Sequence, residues 1–149
     1  MSQRQSYTLI KLMIFVLTIT AMLSACERGK PDRAEMEKVK QVMEMRQTAI
    51  HNKDIELYKQ AIFPGYSDGG VKYDGIIADM EAKFKNYEKI EFTFQRSTVD
   101  MDMNSARMVG QISYKATGME KPVYARERTI FRRVDGKWMI SAGLEQGKF

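Results

Sequence analysis

The clearest hydrophobic pattern lies near the end of the chain. Glu127 to Ala142 reads ERTIFRRVDGKWMISA, two runs of period two joined by Asp135-Gly136. An Asp-Gly pair between such runs predicts a two-residue hairpin, because both central residues must take positive φ. That turn sets Val134 against Lys137, Arg133 against Trp138, Phe131 against Ile140 and Thr129 against Ala142. Alternate side chains on a strand point to opposite faces. One face then collects Thr129, Phe131, Trp138, Ile140 and Ala142 and reads as core. The other collects Arg126, Arg128, Arg132, Lys137 and Ser141, with Ile130 and Met139 among them, and reads as solvated.

Upstream the period changes. Asp32 with Glu35 after Pro31 has the form of a helix start with a reciprocal acid three residues on. The helix it opens carries Met36, Val39, Val42, Met43, Arg46, Ala49 and Ile50 at helical spacing. Asn52 or Asp54 caps a second, shorter helix with Ile55, Tyr58 and Ile62 on one side, and Pro64-Gly65 ends it. Gly65 to Asp74 reads as a loop, and a third amphipathic helix follows from about Asp74 to Tyr87 with Ile77, Met80, Phe84 and Tyr87 inward. From Lys89 the period is two. Ile90, Phe92 and Phe94 alternate with polar residues, Asp100 to Ser105 is a polar turn, and Ala106, Met108, Gly110, Ile112 and Tyr114 alternate in turn. Gly118 to Pro122 then leads into the closing hairpin. Helices segregated before an antiparallel meander predict an α+β fold, with N-terminal helices packed on a curved four-stranded antiparallel sheet.

The first residues follow another logic. Arg4 and Lys11 precede an apolar run from Leu12 to Leu23, which is short for a mature membrane span. A positive start, a short apolar core and small residues after it describe a signal peptide. The run ends Leu23-Ser24-Ala25-Cys26, which resembles the lipobox of bacterial lipoproteins at each of its four positions. That resemblance implies cleavage before Cys26 and diacylglyceryl transfer to its thiol. Cys26 is the only cysteine, so no intramolecular disulfide is available to this chain. The expected organisation is a signal peptide over 1–25, the lipidated cysteine and its tether over 26–33, and an α+β domain over 34–149. Five or six extended tether residues reach at most about 20 Å, which keeps the domain near the membrane surface. Glu27 follows the cysteine where an Asp would resemble an inner-membrane retention signal. The expected location is therefore the cell envelope, anchored in the outer membrane and facing the periplasm, or in the plasma membrane of a cell without an outer one. The net charge of +5 falls to +3 once Arg4 and Lys11 are removed, which argues against a nucleic-acid partner.

The element order resembles the nuclear transport factor 2-like superfamily, a cone-shaped, cystatin-like α+β roll. The matching pieces are the helix ending His51-Asn52-Lys53-Asp54, the third helix opening Asp74-Gly75, and the closing hairpin from Phe131 to Ile140. The resemblance implies a pocket between the helices and the concave sheet face. In some members that pocket is catalytic, as in isomerases, dehydratases and polyketide cyclases, and in others it only binds a ligand or serves assembly.

The superfamily's pocket Asp or His does not carry over. The only histidine, His51, lies at a helix end and reads as solvated or capping, which also leaves no His-rich zinc site. Parity does single out polar residues. Extending the inward face places Glu127, Arg96 and Tyr114 at a pocket mouth, with Tyr66 or Tyr73 supplied by the loop. A buried Glu127 carboxylate is the candidate general base; the alternative is a Glu127 paired with Arg96 or lying near the sheet end in water. Two Met-x-Met pairs, Met43-Glu44-Met45 and Met101-Asp102-Met103, offer soft thioether ligands of the kind Cu(I) takes, but Met43 is better explained as a core residue. The sequence assigns no cofactor and no metal site. The partners it points to are the membrane through Cys26, a small apolar ligand and a second copy through the sheet. The function it favours is a non-catalytic binding or assembly module, with a small pocket enzyme using Glu127 as the rival.

Overall fold

The computed structural model describes residues 32–144, so the expectations for the signal peptide, Cys26 and the tether lie outside the described residues. Helix α1 spans Arg33–Asn52, α2 Ile55–Ala61 and α3 Tyr73–Asn86. Two very short strands, β1 (Ser67–Asp68) and β2 (Val71–Lys72), pair as a small hairpin inside the stretch expected to be a loop. The main sheet is a meander of β3 (Ile90–Met101), β4 (Ser105–Ala116), β5 (Val123–Val134) and β6 (Lys137–Ala142), in the order β3-β4-β5-β6. This is the expected α+β arrangement of helices on a four-stranded antiparallel sheet.

The helix ends follow local chemistry. Asp32 caps α1 by accepting from Ala34 N at 2.9 Å. Glu35 does not reciprocate. Its carboxylate accepts from Trp138 Nε1 at 2.7 Å and pairs with Lys38, tying the first turn of α1 to β6. Those two hydrogen bonds hold the Glu35 carboxyl below its ordinary value. Asp54, rather than Asn52, caps α2 by accepting from Leu57 N at 2.9 Å. Helix α3 opens one residue before Asp74, at Tyr73.

The stripe on α1 buries Val39, Val42, Met43, Arg46, Ala49 and Ile50. It lies against the inward residues Phe92, Met108, Ile112, Phe131 and Ile140, none more than 1% exposed. Trp138 is 5% exposed and Phe94 is half-buried. Helix α1 also covers the free edge of β3. Phe92 N donates to His51 Nε2 at 3.1 Å and Phe94 N to Gln47 Oε1 at 3.3 Å. Edge N–H groups left open would invite pairing with another chain, so His51 has a structural role here. At the other edge, Phe63 N donates to Ile140 O at 2.8 Å.

Two β-bulges bend the sheet, and both shift faces that strict alternation would assign. On β3 the register slips between Gln95 and Thr98, so Arg96 and Ser97 together stand opposite Gly110. Arg96 takes φ 50° and is exposed, which removes it from the inward face where parity had put it. The ring of Phe94 lies across Gly110, and a Cβ there would come within 2.5 Å of it. On β6 the register slips at Ser141. Phe131 pairs with Ile140 as expected, but Ala142 pairs with Ile130 and not with Thr129. Ala142 therefore belongs to the outer face of the sheet.

Candidate functional site

Inside the cone, the polar centre is Glu127. Its side chain is 0% exposed, and Arg46 reaches it from α1 with a side chain only 3% exposed. The pair is bidentate, with Nη1 donating to Oε1 at 2.5 Å and Nη2 donating to Oε2 at 3.1 Å. Thr129 Oγ1 donates to Oε1 at 3.0 Å, so the carboxylate has three donors around it. The guanidinium carbon sits 4.7 Å from the centre of the Phe92 ring, which covers one of its faces. Burial works against the Arg46 charge, but Glu127 and Tyr58 together hold the group above its ordinary value. Tyr58 stands beside the pair, and burial pushes its phenol up to about 12 against the opposing pull of Arg46.

The residues singled out from the sequence thus separate. Glu127 and Tyr66 both lie in the interior, where Tyr66 is 2% exposed and its hydroxyl accepts from Leu144 N at 3.2 Å. Tyr114 is also inward and 2% exposed, with its phenol raised to about 12 chiefly by burial. It pairs with Val123, however, whereas Glu127 pairs with Gly110, four residues away along β4 and so roughly 13 Å. Tyr73 is half-buried at the start of α3, and Arg96 is exposed on the bulge. These five side chains do not converge on one pocket mouth. The partner of Glu127 is Arg46, not Arg96. Its signal in the sequence is a charged residue set within the apolar stripe of a helix.

A second space lies on the other side of the sheet. A groove of about 930 Å³ is lined by Arg107, Val109, Arg126, Arg128, Ile130 and Ala142 from the strands, with Thr98 and Asp100 beside them and Asp68, Gly143 and Leu144 at one end. Its floor follows one row of paired residues across all four strands, Asp100–Arg107–Ile130–Ala142. Gly143 closes the end of the groove. It takes φ 89°, and a Cβ would lie 1.9 Å from Arg128 O, so only glycine lets the chain pass there. Its N–H donates to Asp68 Oδ2 at 2.9 Å, which ties β1 to the end of β6. An adjoining space of about 530 Å³ shares Thr98, Val109 and Arg126 and runs on to Tyr124.

No protein-family model matches the sequence, and no curated protein matches it either. The backbone, by contrast, matches many solved structures. A Nostoc punctiforme protein with a cystatin-like fold superposes with a TM-score of 0.66 at 10% identity, covering 77% of this chain and 92% of that one. A Streptomyces avermitilis protein of the nuclear transport factor 2-like family, described as a candidate dehydratase, gives 0.64 at 15% identity, covering 76% of this chain and 95% of that one. The fold is the nuclear transport factor 2-like cone. A Bdellovibrio bacteriovorus protein gives 0.65 at 15% identity over 74% of this chain, which spans only 41% of that longer protein. At these identities the likeness carries the fold alone. Within the nuclear transport factor 2-like cone, this chain fills the centre of the concave face with an ion pair and opens a groove on the convex one.

Proposed function

We propose that this protein is a lipid-anchored envelope protein whose cone binds a ligand without converting it, and that the working surface is the outer groove. One observation carries the reading. Glu127, the candidate base, is fully buried and held by three donors, two of them from Arg46. A base must reach the proton it takes. This carboxylate faces a guanidinium and a hydroxyl, in a concave face occupied by Phe92, Met108 and Phe131. A bidentate pair of this kind fixes how a helix sits on a sheet. The anchoring half of the proposal rests on Leu23-Ser24-Ala25-Cys26, and the outer-membrane preference on Glu27.

Two experiments test it. Metabolic labelling with a fatty acid should mark the wild type and leave Cys26→Ala unlabelled; equal labelling removes the anchor. Native mass spectrometry of protein isolated from the envelope should find a ligand that survives incubation unchanged and that Arg46→Met/Glu127→Leu carries equally. Conversion of that ligand by the wild type, and not by the double variant, would restore Glu127 as a catalytic residue.

A further inference from the structure

We infer that the outer groove is a binding site for a single anionic amphiphile, a hydrocarbon chain ending in a phosphate or carboxylate. The inference rests on reading the cone as a binding module and adds the class of ligand. Its volume of about 930 Å³ falls within the range of small-molecule sites. Its lining is mixed: Val109, Ile130 and Ala142, all half-buried, form an apolar strip among charged and polar neighbours, and Leu144 is buried at one end.

The charges in the groove are unevenly satisfied. Arg107 is paired with Asp100 at 2.8 Å. The other acid, Asp68, accepts from Gly143 N. Arg126 and Arg128 have no ion pair among the described residues. They lie two residues apart on β5, on the same face and roughly 7 Å from each other along the strand. A guanidinium takes a carboxylate or phosphate through two parallel hydrogen bonds.

These features select among occupants. An inorganic anion would satisfy the arginines and leave the apolar strip of Val109, Ile130 and Ala142 wet. A neutral hydrocarbon would cover the floor and leave two guanidinium groups without acceptors. A second copy docked face to face would set this arginine row against itself. A bilayer is too flat to follow a concave groove. One molecule carrying both an oxyanion and a methylene chain answers to the floor and to the wall. The adjoining space toward Tyr124, which is 64% exposed, gives the chain room to run along the sheet.

The test is calorimetric titration of the full-length chain carrying Cys26→Ala, so that no acyl group of its own competes, with decyl phosphate below its micellar concentration. Decyl phosphate should bind at least tenfold more tightly than inorganic phosphate or decyl maltoside. Arg126→Gln/Arg128→Gln should weaken it at least tenfold with an unchanged circular dichroism spectrum, as expected for exposed side chains, and Arg126→Lys/Arg128→Lys should recover part of the loss. Arg132→Gln, which removes an outer-face arginine beside the Phe63 ring and outside the groove, should bind like the wild type. Equal binding of decyl maltoside, or an equal loss in Arg132→Gln, would overturn the inference. So would binding to phosphatidylglycerol vesicles without binding of the monomer, which would assign the face to a membrane surface. Failure here leaves the binding reading standing, because conversion of a ligand is measured separately by mass spectrometry.

Discussion

Removing the Glu127 charge alone should damage this fold more than removing the whole ion pair. The Arg46 and Glu127 side chains are 3% and 0% exposed, so neither charge has water to fall back on. Glu127→Gln keeps the shape of the side chain and leaves a buried guanidinium without its counter-ion. Breaking such a pair costs about 3–5 kcal/mol. For a domain of this size, with a total stability of about 5–15 kcal/mol, that lowers the melting temperature by roughly 10–20 °C. Arg46→Met should cost about the same, for the mirror-image reason. The double variant Arg46→Met/Glu127→Leu removes both desolvated charges and should return to within about 2 kcal/mol of the wild type, the Thr129 and Tyr58 hydroxyls being the buried groups that lose a partner. The interaction term of the cycle is then roughly 5 kcal/mol or more. Urea unfolding followed by Trp138 fluorescence and circular dichroism measures all four corners. A cost below about 1 kcal/mol for Glu127→Gln, or a double variant as unstable as the sum of the singles, would refute the reasoning.

Other expectations follow from the same interior. Phe131→Ala deletes a side chain that is 0% exposed and should cost about 3–5 kcal/mol in the same urea assay. Tyr58 gives an alkaline signature: its folded-state value of about 12 lies above the ordinary 10.0, so its contribution is complete below pH 10 and lost as pH rises through 12. That loss amounts to roughly 3 kcal/mol, and tyrosinate absorbance from Tyr58 should appear together with unfolding, a coupling that Tyr58→Phe removes. Gly143→Ala should displace the chain from Arg128 O and cost about 1–3 kcal/mol, with a lower melting temperature as the readout.

Much of this architecture is legible in the chain, because it is written locally. The Asp135-Gly136 turn fixes which residues of the last hairpin face each other over its first four pairs, and the helical stripe on α1 names the core face of the first helix. What is not legible is made by distant contacts. The bulge at Arg96 and Ser97 lies opposite Gly110 on the next strand, where the Phe94 ring fills the space, and alternation along β3 alone does not reveal that. The bulge at Ser141 moves Ala142 to the outer face, and there Ser141 Oγ donates to Ile130 O at 3.3 Å on the neighbouring strand. Arg46 stands out as a cation within an apolar stripe, but its partner lies 81 residues away on a strand that only folding brings beneath it. Of the two apolar residues that the sequence sets on the face of arginines, Ile130 and Met139, the first lines the outer groove. The groove's lining comes from four strands and from the chain passing Arg128 at Gly143, residues that only the sheet pairing brings together.

With the ligand proposed on the outside of the cone and an ion pair at its centre, isoleucine methyl groups report on the two sides separately. Ile130 lies on the floor of the groove, whereas Ile112 and Ile140 are buried in the concave interior. With isoleucine methyls labelled and decyl phosphate bound, intermolecular nuclear Overhauser contacts from the probe's methylenes should reach Ile130 and be absent at Ile112 and Ile140. Contacts to Ile112 and Ile140 without contacts to Ile130 would contradict the account and return the site to the interior beside Glu127.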